Sequence, residues 1–172
     1  MYRSTLCALT ILGAASAPAL AGPDDFAPGP AIADFGPVAT VAAARPIPEG
    51  QIFHVSFDTS KRAAEGELNS TLTGAARFLN MHTAAGMPVE NIHLAVVVHG
   101  SALHDVTSAG AGANADLVAA LVENGVEILV CGQSAVWYGM AAEDFLPGVE
   151  LSLSAMTAHA LLQDQGYTLN PF

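Results

Sequence analysis

Asn91-Ile92-His93-Leu94-Ala95-Val96-Val97-Val98-His99 is the stretch that decides the fold. Past His93 its interior is continuously apolar, without the polar alternation of a strand that has one wet face. Such a run marks a central strand buried on both sides, as in parallel sheets covered by helices. The flanking sequence supplies the covers. Upstream, Ile52-Phe53-His54-Val55-Ser56-Phe57 is a short strand between Gly50 and Asp58. After it, Leu68, Leu72, Ala75, Ala76 and Leu79 recur at spacings of three and four. That spacing predicts an amphipathic helix over about residues 67 to 85, ended near Gly86 and Pro88. Downstream, a loop through Gly110 and Gly112 leads to Leu117, Val118, Leu121 and Val122, a second helix ending at Asn124-Gly125. Val126 to Val130 is a third strand and Ala135 to Asp144 a third helix. Pro147-Gly148 turns the chain into Val149-Glu150-Leu151, and a last helix runs from about Ser154 to Gln165. Tyr167-Thr168-Leu169 is a last strand or a tail.

Strands alternating with helices predict an α/β fold, a single three-layer domain with a mostly parallel sheet flanked by helices on both faces. The carboxyl ends of such strands lie along one edge, where ligands and catalytic groups gather. That edge receives Phe57-Asp58, His99-Gly100-Ser101 and Cys131-Gly132-Gln133-Ser134.

The chain ahead of this domain reads in two parts. Met1-Tyr2-Arg3, the apolar run Leu6 to Ala17 and Ala19-Leu20-Ala21 before Gly22 form a secretory signal over residues 1–21. The apolar run is shorter than the roughly 20 residues of a spanning helix, and Pro18 interrupts it, so the mature chain is expected to have no membrane span. The signal implies a periplasmic or secreted protein. Residues 22–50 are rich in Pro, Gly and Ala, which suits an extended arm or linker. Within it, Ile32, Phe35, Val38 and Val41 could tether the arm to the domain or to a neighbouring subunit. Residues 51–172 form the domain.

Cys7 leaves with the signal, so Cys131 is the only cysteine of the mature chain and no internal disulfide can form. Without Arg3, four of the five Lys and Arg remain against sixteen Asp and Glu, a formal charge of −12. Nucleic acid is therefore not expected as a partner, since so few cations would release few counterions.

Cys131 stands where the third strand runs into Gly132 and a helix. Backbone N–H groups at that junction would stabilise a thiolate, the form that attacks a sulfane sulfur or a disulfide. Gly132 would let a reactant approach, and Gln133 and Ser134 would donate hydrogen bonds. His99 on the neighbouring strand end would serve as base or cationic partner, and Asp58 would line the same edge. The plainer readings are a cysteine acting as a small hydrophobe at the top of the core, a hydrogen-bonded strand-end His99, and an Asp58 that caps the loop after its strand. Trp137, Tyr138 and Met140 suit packing or a subunit contact.

The strand ending in His99-Gly100, the strand ending in Val130-Cys131-Gly132, the turn Leu146-Pro147-Gly148-Val149 and the ending Gln165-Gly166-Tyr167 together resemble the DsrE/DsrF-like family over about residues 51 to 170. The resemblance implies a five-stranded α/β fold and homo-oligomers, trimers or hexamers. For the best-understood members it implies a sulfur relay, in which a cysteine at the position of Cys131 takes sulfane sulfur as a persulfide and hands it to a partner protein. It thus implies a sulfurtransferase or sulfur carrier that needs no cofactor, with a sulfur donor or acceptor protein as partner. Where relay members carry an arginine-glycine pair after the cysteine's helix, this chain reads Trp137-Tyr138-Gly139-Met140. The alternative function is a non-catalytic homo-oligomeric binding or assembly module of the same fold.

A metal site is not expected. His93 and His99 lie on one strand, and six strand residues separate them by roughly 20 Å, too far for one ion. His99, His104 and Cys131 could meet at the edge, but no His-x-x-x-His or Cys-x-x-Cys pair supports a metal there. Gly110-Ala111-Gly112 lacks the trailing lysine of a phosphate loop.

Overall fold

The computed structural model describes residues 22–171. Strands and α-helices alternate as β1 (Phe53–Thr59), α1 (Ser70–Ala84), β2 (Ile92–Val98), α2 (Asn114–Glu123), β3 (Glu127–Cys131), α3 (Gly132–Tyr138), β4 (Val149–Ser152), α4 (Ala155–Asp164) and β5 (Thr168–Leu169). They build one sheet in the order β4-β3-β2-β1-β5. All neighbouring pairs are parallel, so the sheet expected to be mostly parallel is wholly so.

β2 lies in the middle, and of its residues only His93 is exposed. Its side chains alternate between two cores, the period-two rule of a strand applied to a buried element. Ile92, Leu94, Val96 and Val98 join Val55, Phe57, Ile128 and Val130 under α1 and α2. Ala95 and Val97 face the other way, against Ala158 and Leu162 of α4 and against Tyr167. This gives three layers, with α1 and α2 on one face and α4 on the other.

Several boundaries differ from the sequence reading for identifiable reasons. Helix α1 starts at Ser70, because Asn69 caps it by accepting from the N–H groups of Thr71 and Leu72. The helix expected over Ala135 to Asp144 is two pieces, α3 and a 3-10 turn at Ala142–Asp144. Gly139 divides them by taking the left-handed conformation, φ 67°, that closes a helix. A further 3-10 turn, Gly100–Val106, follows β2 and buries Ala102, Leu103 and Val106. Tyr167-Thr168-Leu169 does contain a strand, since Thr168 and Leu169 pair with Val55 and Ser56.

Residues 31–37 lie against α1. Ile32 enters the main core, Phe35 packs on it and Val38 is buried, whereas Val41 is exposed. The fastening is Asn80, a fully buried amide on α1. Its Oδ1 accepts from the N–H groups of Ala31 (3.1 Å) and Ile32 (2.9 Å). Its Nδ2 donates to the carbonyls of Ile32 (2.8 Å), Phe35 (2.8 Å) and Gly36 (3.0 Å). Gly29 and Gly36 allow this approach. A Cβ at Gly29 would overlap the Asn80 side chain, and one at Gly36 would run into the backbone of Ala76 and Arg77. The proposed signal, residues 1–21, lies outside the described residues. Among the described residues no helix is long and apolar enough to cross a membrane.

Candidate functional site

Strand parity brings the edge residues together. Phe57, Val98 and Val130 point into the core beneath α1 and α2, so the residues that follow them, Asp58, His99 and Cys131, turn toward α4. Val98 pairs with both Thr59 and Val130. Parallel neighbours lie about 4.8 Å apart. Asp58, His99 and Cys131 therefore occupy successive strands, on one face, at the carboxyl edge.

Cys131 is free and 6 % exposed. Burial by itself would raise its pKa, because a thiolate loses solvation. Hydrogen bonds outweigh that effect: the Ser134 hydroxyl and the backbone N–H groups of Ser134, Ala155 and Gln133 together hold the thiol below its ordinary value. Gln133 and Ser134 are in the first turn of α3, and Ala155 is the first residue of α4. The starts of two helices thus meet at one sulfur, and the sequence reading had identified only the first of them.

The other edge residues have clear places. The Ser134 Oγ also accepts from the N–H of Gly100 at 3.1 Å, linking the end of β2 to the cysteine. The Gln133 Nε2 donates to the Leu153 carbonyl at 3.4 Å. Gly132 makes room for backbone rather than for open space, since a Cβ there would lie 2.7 Å from the Ser152 carbonyl oxygen and 3.2 Å from that of Leu153. Its missing side chain lets α3 begin against the end of β4.

Asp58 lies inside β1, not in the loop after it, and it joins two imidazoles. His99 Nε2 is 3.1 Å from Oδ1 and His159 Nε2 is 2.9 Å from Oδ2. A carboxylate only accepts, so each Nε2 carries a hydrogen, and in the neutral form of either ring Nδ1 is the acceptor. The His99 ring is thus engaged with Asp58, while the hydrogen bonds that tune the thiol come from other groups. His159 was missed in the sequence. The available signal was its position on α4: Ala155, Ala158 and Leu162 mark the face that covers the sheet, and His159 falls on it at helical spacing.

The three histidines weighed as metal ligands lie in three places. His93 stacks on His54 with centroids 4.5 Å apart, His99 binds Asp58, and His104 lies edge-on to Tyr138 at 5.2 Å. Among the described residues, no group of three or more His, Cys, Asp or Glu could hold a metal ion.

The family model of the DsrE/DsrF-like family matches residues 51–171. The chain belongs to the DsrE/DsrF-like family. The matched region contains the whole sheet and every residue of the edge described above. A solved structure of a protein of unknown function, MTH1491 from Methanobacterium thermoautotrophicum, resembles this DsrE/DsrF-like chain with a TM-score of 0.56. The two share 18% identity over 70% of this chain and 99% of the other, a likeness of fold. No curated protein matches the sequence.

Proposed function

We propose that this DsrE/DsrF-like protein is exported and handles sulfane sulfur through Cys131, holding one sulfur atom as a persulfide before an acceptor takes it. The observation that carries this reading is the thiol's surroundings: a nearly buried sulfur whose hydrogen-bond donors favour the thiolate despite burial. That is the ionisation state the chemistry needs. Family membership supports the same reading, because the family is linked to sulfur relay. Val136, Trp137, Leu153 and Met156, all at least 72 % exposed, sit on the elements that meet at Cys131 and offer an apolar rim to a donor or acceptor protein.

Incubation of the mature protein with a low-molecular-weight persulfide, followed by intact-mass measurement, should show a gain of one sulfur atom. That gain should be absent from Cys131→Ser. No adduct on the wild-type protein, together with ordinary slow alkylation of its thiol, would overturn the reading.

The same rim favours a second reading, a non-catalytic homo-oligomeric module, trimeric or hexameric. β4 is an edge strand, and an apolar groove of about 400 Å³ lined by Leu129, Leu151, Leu153 and Leu161 runs beside it. Exposed edges of this kind are normally covered. Trp137 is the protein's one tryptophan, so its fluorescence reports directly on the rim. Concentration-dependent blue-shifted emission, with Cys131→Ser behaving as wild type in cells, would support this module. A chain that stays monomeric at all concentrations would count against it.

A further inference from the structure

Asp58 has each carboxylate oxygen engaged by a different histidine, and the two come from distant parts of the chain, β2's end and the sheet-facing side of α4. The hydroxyl that donates to Cys131 also accepts from Gly100, the residue after His99. Ala155, whose N–H donates to the thiol, lies one helical turn from His159 on the same helix. The histidine–carboxylate group and the thiol are therefore held by the same two segments.

We propose that His99 is the proton-transfer residue for sulfur exchange at Cys131, and that Asp58 and His159 are positioning residues that fix its tautomer. The inference rests on the persulfide reading above. A small persulfide donor is an anion, R–S–S⁻, and attack on its outer sulfur expels R–S⁻, a basic thiolate for alkyl donors that departs more readily when a proton reaches it as the bond breaks. The Cys131 thiol gives its proton to His99 Nδ1. The thiolate then attacks the outer sulfur; a new S–S bond forms as the donor's S–S bond breaks. His99 returns the proton to the departing sulfur, so that Cys131–SH and R–S–S⁻ become Cys131–S–S⁻ and R–SH. Atoms and charge balance, and nothing is oxidised or reduced. The hydrogen bond from Nε2–H to Asp58 leaves Nδ1 as the proton acceptor and stabilises the imidazolium formed in passing. His159 holds the second oxygen, so that the carboxylate does not rotate away from His99.

The test is single-turnover transfer to the full mature protein from persulfides whose parent thiols span a range of acidity, from alkyl to aryl. With a proton supplied to the leaving group, the wild-type rate should depend weakly on leaving-thiol acidity. His99→Ala and Asp58→Asn should steepen that dependence, slowing alkyl donors about 100-fold, at the low end of general acid–base contributions, while aryl donors stay nearly as fast. His159→Ala should steepen it too, and His159→Gln, whose amide still donates to Oδ2, should restore the shallow slope. An unchanged slope in His99→Ala, in protein whose circular dichroism matches wild type, would overturn the inference even though Cys131 forms the persulfide. A wild-type protein that takes no sulfur from any donor would instead remove the reading beneath it.

Discussion

Ser134 serves two neighbours at once, accepting from Gly100 and donating to Cys131. Ser134→Ala removes the one side-chain donor to the thiolate, so the midpoint of alkylation rate against pH should move upward. The sign also sets a stability effect. A thiol whose folded pKa is depressed stabilises the fold fully above its unfolded pKa, near 9.0, and loses that contribution as pH falls through the folded value. Urea denaturation between pH 7 and 9 should therefore show a smaller gain with pH in Ser134→Ala than in wild type. Tyr167 behaves oppositely. Burial, then a hydrogen bond to Glu127 (2.9 Å) and its charge, push the phenol up from 10.0 to about 12. Its stabilisation is complete below pH 10 and lost as pH rises toward 12. Glu127→Gln should bring its ultraviolet titration down toward the ordinary value. Cys131 was legible in the sequence because strand ends are marked by apolar runs and glycines. The His99–Asp58–His159 group was only partly legible, because His159 reaches the edge from a helix that crosses back over the sheet.

At the scale of elements, α1 has two tasks, covering the sheet with Leu72, Ala75, Ala76 and Leu79 and fastening residues 31–36 through Asn80. Asn80→Ala would leave buried backbone groups without partners. The expected loss is on the order of 3 kcal/mol in urea melts, with faster proteolysis inside residues 23–50 as the accompanying sign. Hydrophobic periodicity located α1, but it could not reveal the fastening. A lone Asn on a helix reads as solvated surface until the segment that occupies it is known. The break between α3 and the Ala142–Asp144 turn was visible as Gly139, although composition alone does not say that a glycine will take a left-handed conformation. Gly132 shows the same limit from another side. Its value lies in contact with the Ser152 carbonyl across the sheet, a neighbour 20 residues away.

For the whole molecule, the layer architecture followed from one buried strand and its flanks, since a strand apolar on both faces requires helices on both sides. The strand order needed more than periodicity. β5 lies beside β1, at the far side of the sheet from β4, and no local pattern encodes that crossing. The docked N-terminal stretch carries a different consequence. The family match begins at residue 51, yet the buried amide of Asn80 and the core position of Ile32 draw residues 31–36 into the same packed body. The family match and the packed body thus begin at different residues. A chain trimmed to begin at residue 51 should express as an aggregation-prone fragment with a lower melting temperature, whereas one beginning at residue 23 should melt as a single unit. The span that the family model matches is thus smaller than the body that packs together.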